Sequence, residues 1–243
     1  MRNTLELGKS TEAGGVKAPE TLAALAYQRL RQDIITGVFA PGQPLRLELL
    51  RQRYGLSFSP LREALNRLQT ERLVASAALR GFSVAAVSTE EMWDATETRI
   101  LIESEALRRS IEYGDDDWEA RIVSTFHSLD LQARRMTNSE TVSMEELSAL
   151  EARHKDFHGA LIAKCRSRRL IDLADQLYAE TQRYRLPTLT GKTPATSRNI
   201  AGEHRQIMEA AFARNTDEAV ALLTAHYRRT SESIERFMAE HMS

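Results

Sequence analysis

The sequence predicts a mainly α-helical protein, with an N-terminal winged helix-turn-helix followed by an all-α helical bundle. Three observations support this fold class. A glycine turn at Gly55 precedes an amphipathic helix, two short β-type segments follow that helix, and from residue 88 onward the periodic segments have helical spacing. The 243 residues suffice for two small domains that each bury a core.

The chain begins with a segment that lacks any periodic pattern. Residues 1–18 contain glycine, serine and charged residues, which predicts a disordered tail. A helical stripe then runs from about 19 to 35 and ends at Gly37. Proline and glycine predict a turn at 39–44, and a short helix is expected over 45–54.

The segment 55–68 is the most distinctive element of the N-terminal part. Gly55 allows a sharp chain reversal, Ser59 can cap the helix that follows, and Pro60 suits the first helical position. The apolar positions of this helix recur with helical spacing at Leu61, Ala64, Leu65 and Leu68. Arg62 falls outside that stripe and is expected to face away from the core. Such a helix suits the second position of a helix-turn-helix.

Two short segments after this helix have the composition of β-strands. They cover 73–75 and 82–84 and flank Arg80-Gly81, so a small hairpin is expected. Three helices followed by a hairpin form a winged helix-turn-helix in outline. We therefore expect a winged helix-turn-helix domain over residues 19–87.

Charge is distributed unevenly along the chain. Residues 27–87 hold nine arginines against four acidic residues, whereas residues 88–243 hold 21 basic and 27 acidic residues. The formal net charge of −1 hides this asymmetry. A basic module attached to an acidic body indicates a polyanionic partner for the N-terminal domain.

Everything after residue 88 is predicted to be helical. Ser88 and Glu91 have the spacing of a capping box and open the first of these helices. The expected helices cover 89–113, 116–136, 143–164, 167–186, 196–214 and 217–240. A turn-rich break is expected over 187–194. Residues 88–240 should therefore form one all-α bundle.

The composition also excludes some classes of protein. No uninterrupted apolar run approaches the roughly 20 residues that a membrane helix needs. The N-terminus has scattered charges and no apolar signal core, which argues against secretion. Cys165 is the single cysteine, so an internal disulfide is impossible and a reducing cytoplasm is the expected location.

Several motifs occur in the order found in one family of regulators. The N-terminal motifs are Gly37-Val38-Phe39-Ala40-Pro41-Gly42, Gly55-Leu56-Ser57, Ser59-Pro60-Leu61-Arg62-Glu63-Ala64-Leu65 and Arg80-Gly81-Phe82-Ser83-Val84. The C-terminal marks are Arg99 with Glu103, Phe157-His158, Glu203-His204 and His226. Together they resemble the GntR family of bacterial transcription regulators, in its FadR-like branch with an FCD sensing domain. The resemblance spans about residues 20–240.

This resemblance implies a set of DNA contacts. Ser57 and Ser59 are expected to reach the DNA backbone or base edges, while Arg80 and Gly81 at the wing tip approach the minor groove. Arg62 is the strongest candidate for a phosphate or base contact, since arginine side chains and helix N-termini supply most such contacts. The alternative for Arg62 is an ordinary solvated surface arginine.

Two positions depart from the family pattern. Phe58 stands where the family usually has an arginine that is expected to contact guanine, and Glu48 stands where related regulators often carry a basic residue. Phe58 can make only apolar contacts, for example with a thymine methyl group. The operator should therefore differ from the common family motif.

Four of the six histidines suggest a metal site. His154 and His158 are four residues apart on one predicted helix, so they share a face, whereas His204 and His226 lie on the last two helices. Imidazole suits Zn, Ni, Cu or Fe(II), but such a pair alone is a weak signal. By resemblance all four match the FCD metal site, whose usual aspartate is replaced here by His154. This favours Zn or Ni over Mn, unless His154 points away and three histidines bind.

Arg99 is the main candidate for binding an effector. A guanidinium that faces a cavity suits a carboxylate, and by resemblance it would face a small organic acid near the metal, such as a short dicarboxylate. Arg183 and Arg185 are weaker candidates for the same pocket. The alternative for Arg99 is a salt bridge to a nearby carboxylate, either Glu97, Glu103 or Asp94.

These features favour one function and leave two alternatives. The leading hypothesis is a homodimeric, effector-responsive transcription regulator, most simply a repressor, that binds double-stranded operator DNA and is not an enzyme. The first alternative is a metal sensor in which the ion itself is the effector. The second is a metallohydrolase, although no carboxylate is convincingly placed as its general base.

Overall fold

The computed structural model describes residues 21–77, 81–137, 142–190 and 198–241. The predicted tail over 1–18 and the wing-tip residue Arg80 lie outside these ranges. The described chain has the predicted fold class, a winged helix-turn-helix followed by an all-α bundle. Its elements are α1 (Leu22–Ile35), α2 (Leu47–Tyr54), α3 (Phe58–Thr70), β1 (Val74–Ala77), β2 (Gly81–Val84), α4 (Thr89–Tyr113), α5 (Asp116–Thr137), α6 (Met144–Ile162), α7 (Arg168–Thr190), α8 (Ile200–Phe212) and α9 (Thr216–His241).

The core of the N-terminal part is formed by α1, α2, α3 and the hairpin. The predicted stripe of α3 is confirmed, because its four members Leu61, Ala64, Leu65 and Leu68 are at most 1% exposed. They pack with Leu30 of α1, Leu50 of α2 and Val84 of β2. This packing fixes α3 on the domain and leaves its opposite face in solvent.

Helix α3 begins two residues earlier than the sequence predicts. Ser57 is its N-cap and Phe58 its first residue, so Ser59 and Pro60 lie inside the first turn. The earlier start follows from the turn, since Gly55 caps α2 in the left-handed conformation at φ 68° and Leu56 is buried directly after it. Proline is tolerated in a first turn because amides there have no partner within the helix.

The hairpin is antiparallel, with Val74 opposite Val84 and Ala77 opposite Gly81. The segment expected only as a turn also pairs with it. The amide of Leu45 donates to the Phe82 carbonyl at 2.8 Å, and the amide of Val84 donates to the Gln43 carbonyl at 2.9 Å. The chain before α2 therefore lines the outer edge of β2 and anchors the wing to the helices.

The bundle starts where the capping signals predict. Ser88 accepts the amide of Glu91 at 3.0 Å, and Ser143 forms a complete capping box with Glu146. The break expected over 187–194 does not begin at Pro187, because α7 continues to Thr190, and residues 191–194 lie outside the described ranges. A proline near a helix end removes one backbone hydrogen bond, and the remaining turns tolerate that loss.

The bundle has an apolar core with a polar centre beside it. Trp118, Phe157 and Ile122 are among its most buried apolar side chains. Buried ionisable residues are uncommon in proteins, yet Arg99, Glu103, Glu151, Arg185 and three histidines are all buried here. Among the helices of the described ranges, none is both long and apolar enough to cross a membrane.

Candidate metal centre and DNA-binding surface

The four predicted histidines lie together in the bundle. His154 and His158 come from α6, His204 from α8 and His226 from α9. One ring nitrogen from each lies within 4.8 Å of the others. The Nε2 atoms of His154 and His158 are 3.2 Å apart, and those of His204 and His226 are 3.3 Å apart. His154 thus lies within the cluster and does not point away from it.

A carboxylate fixes the orientation of His226. Nδ1 of His226 lies 2.9 Å from Oε2 of Glu203, which also pairs with Arg198 at 2.6 Å. A carboxylate can only accept, so this hydrogen bond assigns the proton to Nδ1 and leaves the Nε2 lone pair facing the cluster. Carboxylate partners of this kind orient metal-binding histidines.

Tyr227 holds His158 in the same way through a hydroxyl group. The Tyr227 hydroxyl lies 2.9 Å from Nδ1 of His158 and donates a short hydrogen bond to Oε2 of Glu103. The hydroxyl has one hydrogen, so donation to Glu103 leaves its oxygen to accept from Nδ1–H. The Nε2 lone pair of His158 then faces the cluster.

Tyr178 occupies the matching position beside His154. Its hydroxyl is 3.1 Å from Nδ1 of His154, 3.1 Å from the carbonyl oxygen of Glu151 and 2.9 Å from Nη2 of Arg185. The same assignment follows, because donation to Glu151 leaves the hydroxyl oxygen to accept from the imidazole. Three of the four rings are therefore set with Nε2 toward the centre.

Sequence reasoning overlooked Tyr178, Tyr227 and Glu151, although the sequence contains a signal for Tyr178 and Glu151. Tyr178, Thr181 and Arg185 recur at i, i+3 and i+7 on α7, and Glu151 precedes His154 and His158 with the same spacing on α6. Polar residues in a spacing typical of core positions indicate a buried polar network. The two stripes face each other in the structure.

Burial keeps the four imidazoles neutral. Loss of solvent lowers the pKa of His154, His158 and His204 well below the usual value, and nearby positive charges lower it further. Burial likewise lowers the pKa of His226 to about 4, against the opposing effect of Glu203. Neutral imidazole is the form that binds a metal. The cluster therefore fits a divalent transition metal without requiring deprotonation at neutral pH.

Arg99 lies next to this cluster and is engaged by internal partners. Its Nε donates to Oε1 of Glu103 at 2.5 Å, while Nη1 and Nη2 contact the hydroxyls of Thr181 at 3.2 Å and Tyr227 at 3.1 Å. Burial alone would lower the pKa of Arg99, but Glu103 reverses this and raises it. The salt-bridge alternative is thus present in the structure.

Arg185 has a similar internal partner on the other side of the cluster. Its guanidinium contacts Glu151 at 2.5 and 3.1 Å, and the pair is buried. Both arginines line a small cavity together with His154 and His226. The cavity measures about 20 Å³, which is room for about one water molecule.

Arg183 lies outside this cavity, in contrast to the expectation that it lines the effector pocket. Its Nη1 donates to the backbone carbonyl of Arg72 at 3.3 Å, and Nη2 donates to the Tyr184 hydroxyl at 2.7 Å. The reason is helical geometry, since Arg183 and Arg185 are two residues apart and project from different faces of α7. Arg183 instead contacts the N-terminal domain.

The predicted DNA-contacting residues of α3 are together at the start of that helix. Ser57, Phe58, Ser59 and Arg62 are all exposed, and Phe58 and Arg62 are one turn apart on the same face. Ser57 makes no capping hydrogen bond with its side chain, so its hydroxyl is not required by the helix. Gly81 begins β2 with φ 76°, a conformation that favours glycine.

A winged helix-turn-helix joined to an all-α bundle is an architecture typical of DNA-binding transcriptional regulators. The model for bacterial regulatory proteins of the gntR family matches residues 22–84, and the FCD domain model matches residues 94–229. The chain belongs to the GntR family of regulators and carries an FCD domain.

Two relatives match almost the whole chain. The HTH-type transcriptional regulator BphR of Paraburkholderia xenovorans strain LB400 is 38% identical over 217 residues, covering 89% of this chain and 86% of the relative. The HTH-type transcriptional repressor GlaR of Escherichia coli strain K12 is 33% identical over 215 residues, covering 88% and 96%. The family and these relatives are regulators, so the hydrolase alternative is wrong.

Solved structures show the same fold at lower identity. E. coli McbR/YncC superposes with a TM-score of 0.72 at 18% identity, covering 89% of this chain and 98% of that one. A putative GntR regulator from Rhodococcus sp. RHA1 superposes with a TM-score of 0.68 at 22% identity, covering 87% and 96%. At this level of identity the likeness concerns the fold alone.

Proposed function

We propose that this protein is a homodimeric repressor whose operator binding is controlled by a small carboxylic acid bound beside a metal. Residues 19–87 would bind DNA and residues 88–240 would hold the metal and the acid, a short dicarboxylate being the favoured class. The protein would act in the cytoplasm, where a bacterial operator lies. The single observation that carries this proposal is the convergence of four neutral histidines, three of them buried, next to two buried arginines.

The metal would be held by His154, His158, His204 and His226. Four imidazoles form a donor set without charge, which suits Zn or Ni better than the harder cations that prefer carboxylates. When bound, the metal would supply a Lewis-acidic centre that attracts a carboxylate oxygen. The tyrosine and glutamate partners described above hold the rings, so little reorganisation is needed for binding.

The acid would bind where Arg99 and Arg185 face the cavity. Each guanidinium is paired with a protein carboxylate, so a carboxylate of the ligand would have to replace Glu103 or Glu151 as the partner. A cavity of about 20 Å³ also has to widen before it can hold such a ligand. Because the ion pairs must change partners and the cavity must widen, the acid would bind to a second arrangement of these side chains. Binding to one of two arrangements is what a ligand-controlled switch requires.

Helix α7 would connect this change to the DNA-binding domain. On one side of α7, Arg185 faces the cavity. On the other, the side-chain oxygen of Gln182 accepts from Arg31 of α1 at 3.0 Å, and Arg183 donates to the Arg72 carbonyl. A shift of α7 on acid binding would therefore move α1 and Arg72, which lies two residues after the end of α3. DNA would in turn change the affinity for the acid.

A metal ion acting alone as the effector is the second candidate. The internal pairing of Arg99 with Glu103 and of Arg185 with Glu151 favours it, since both arginines are satisfied without an acid. If the metal ion is the effector, removal of the metal by a chelator should by itself change the affinity for DNA. If a carboxylic acid is the effector, adding the acid to the metal-loaded protein should change the affinity for DNA further.

Two measurements test the proposal. Elemental analysis of the purified protein should find about one metal ion per chain, and this metal should be lost in His158→Ala. His127→Ala is the matched control, because His127 is exposed on α5 and outside the cluster. Unchanged metal content in His158→Ala would remove the ligand assignment.

The second measurement is operator binding by gel shift, with the region upstream of the protein's own gene as the probe. Metal-loaded protein is titrated with short dicarboxylates and with monocarboxylates of equal length. Release of the DNA by dicarboxylates supports the acid hypothesis. A response to chelator and to no acid at all would favour the metal ion as the effector.

A further inference from the structure

Phe58 is partly covered by an arginine from the preceding helix. As the first residue of α3, Phe58 is 45% exposed, which is unusual for a phenylalanine. Cζ of Arg51 lies 5.7 Å from the centre of its ring, within the range of a cation–π contact. Arg51 is in the last turn of α2, and the turn at Gly55 brings this end of α2 against the start of α3.

Glu48 also holds this guanidinium, through two hydrogen bonds. Its Oε1 accepts from Nη2 of Arg51 at 2.6 Å and from Nε at 3.1 Å. This hydrogen bond lowers the pKa of Glu48 and raises that of Arg51, so both groups are charged at neutral pH. A guanidinium has five N–H donors, and these two bonds leave donors for an acceptor outside the protein.

This arrangement suits a base edge better than a phosphate. A phosphate contact depends on positive charge, and the Glu48 carboxylate cancels that charge and is itself repelled by the DNA backbone. The planar guanidinium of Arg51 is oriented by the Phe58 ring and the Glu48 carboxylate. A guanidinium has the geometry for two parallel hydrogen bonds to O6 and N7 of guanine. The first residues of the second helix of a helix-turn-helix meet base edges, and Arg51, although it lies on the preceding helix, is beside the first of them, Phe58.

We propose that Arg51 is a base-reading residue of this protein, oriented by Phe58 and Glu48 to recognise a guanine in the major groove. The guanidinium of Arg51 contacts the Glu48 carboxylate and the Phe58 ring, and all three side chains are exposed beside the start of α3. A guanidinium from α2 thereby lies beside the first residue of α3. This inference concerns the DNA-binding domain and is independent of the metal and of any acid.

In-vitro selection from a library of randomised DNA duplexes tests the proposal with the full-length protein. Arg51→Ala is expected to lose its preference for guanine at one position of the selected site by roughly tenfold or more, with little change in binding to a scrambled duplex. Glu48→Gln should bind all duplexes more tightly at low salt and discriminate less at that same position.

Arg53→Ala is the matched control. Arg53 is on the same helix and is also ion-paired, but its guanidinium is held by Asp33 at 2.8 Å. Its removal should leave the preference for guanine at that position of the DNA site unchanged.

Circular dichroism and thermal unfolding verify that each variant is folded. Equal weakening on every duplex with a lower salt dependence, or no change in base preference in Arg51→Ala, would overturn the proposal.

Discussion

Nε of Arg99 donates to Oε1 of Glu103 at 2.5 Å, and both side chains are almost completely buried. Removing one partner of such a pair leaves an uncompensated charge inside the bundle. We therefore expect Glu103→Ala to lower the free energy of unfolding by about 3–5 kcal/mol in urea denaturation. The double variant Arg99→Met with Glu103→Leu should recover most of this loss.

A surface pair on the same helix provides the control for this experiment. Glu97 contacts Arg228 at 2.9 Å, and both side chains are about half exposed. Glu97→Ala should cost at most about 1 kcal/mol. If Glu103→Ala were equally mild, the buried pair would contribute little, and Arg99 would be free to bind a ligand without competition.

The bound metal is expected to stabilise the fold, because its four ligands lie on three different helices. At a free metal concentration about 100 times the Kd, binding adds about 2.7 kcal/mol to the free energy of unfolding. Thermal unfolding with added Zn or Ni should therefore occur at a higher Tm than with a chelator. His204→Ala should remove this difference, and a metal-dependent Tm in that variant would contradict the role of His204.

The hydroxyl of Tyr227 is expected to influence metal affinity without touching the metal. Tyr227→Phe removes the hydrogen-bond partner of His158 and should weaken metal binding by about 10- to 100-fold. Competition with a chromophoric chelator measures this change. Tyr113→Phe, at the end of α4 and outside the cluster, is the control and should keep the original affinity.

The depressed histidine pKa values predict that the metal-free protein loses stability in mild acid. In the unfolded chain histidine titrates near 6.5, whereas in the folded chain the pKa of His226 is about 4 and those of the other three are also lowered. Below pH 6.5 the unfolded state binds more protons, so folding becomes less favourable as the pH falls toward 4. Urea unfolding between pH 7.5 and 4.5 should show this decline. Replacing His158 and His204 by Gln should make it shallower.

Substitutions in α3 separate affinity from specificity. Arg62→Ala should weaken binding to all duplexes about equally and reduce the salt slope by about one, as expected for a phosphate contact. Phe58→Arg should change which duplex is preferred, since it adds a guanidinium at the start of the helix and removes the ring beside Arg51. If Phe58→Arg selected the same duplexes as the original protein, the start of α3 would not lie in the major groove as proposed.

Patterns within single elements were predictable from the sequence. The buried stripe of α3 follows from the spacing of Leu61, Ala64, Leu65 and Leu68, and the capping residues located the starts of α4 and α6. The shared face of His154 and His158 follows from four-residue spacing on one helix. These features depend on local geometry, which the order of residues determines.

Contacts between elements were decided only by the tertiary structure. Arg99 had three possible carboxylate partners in the sequence, and packing of the bundle buried Glu103 with it while leaving Glu97 at the surface. The placement of Arg183 against the N-terminal domain likewise depends on how α7 is rotated. A sequence lists the charged groups of a chain, but burial determines which of them must be paired, because a charge removed from water requires a partner.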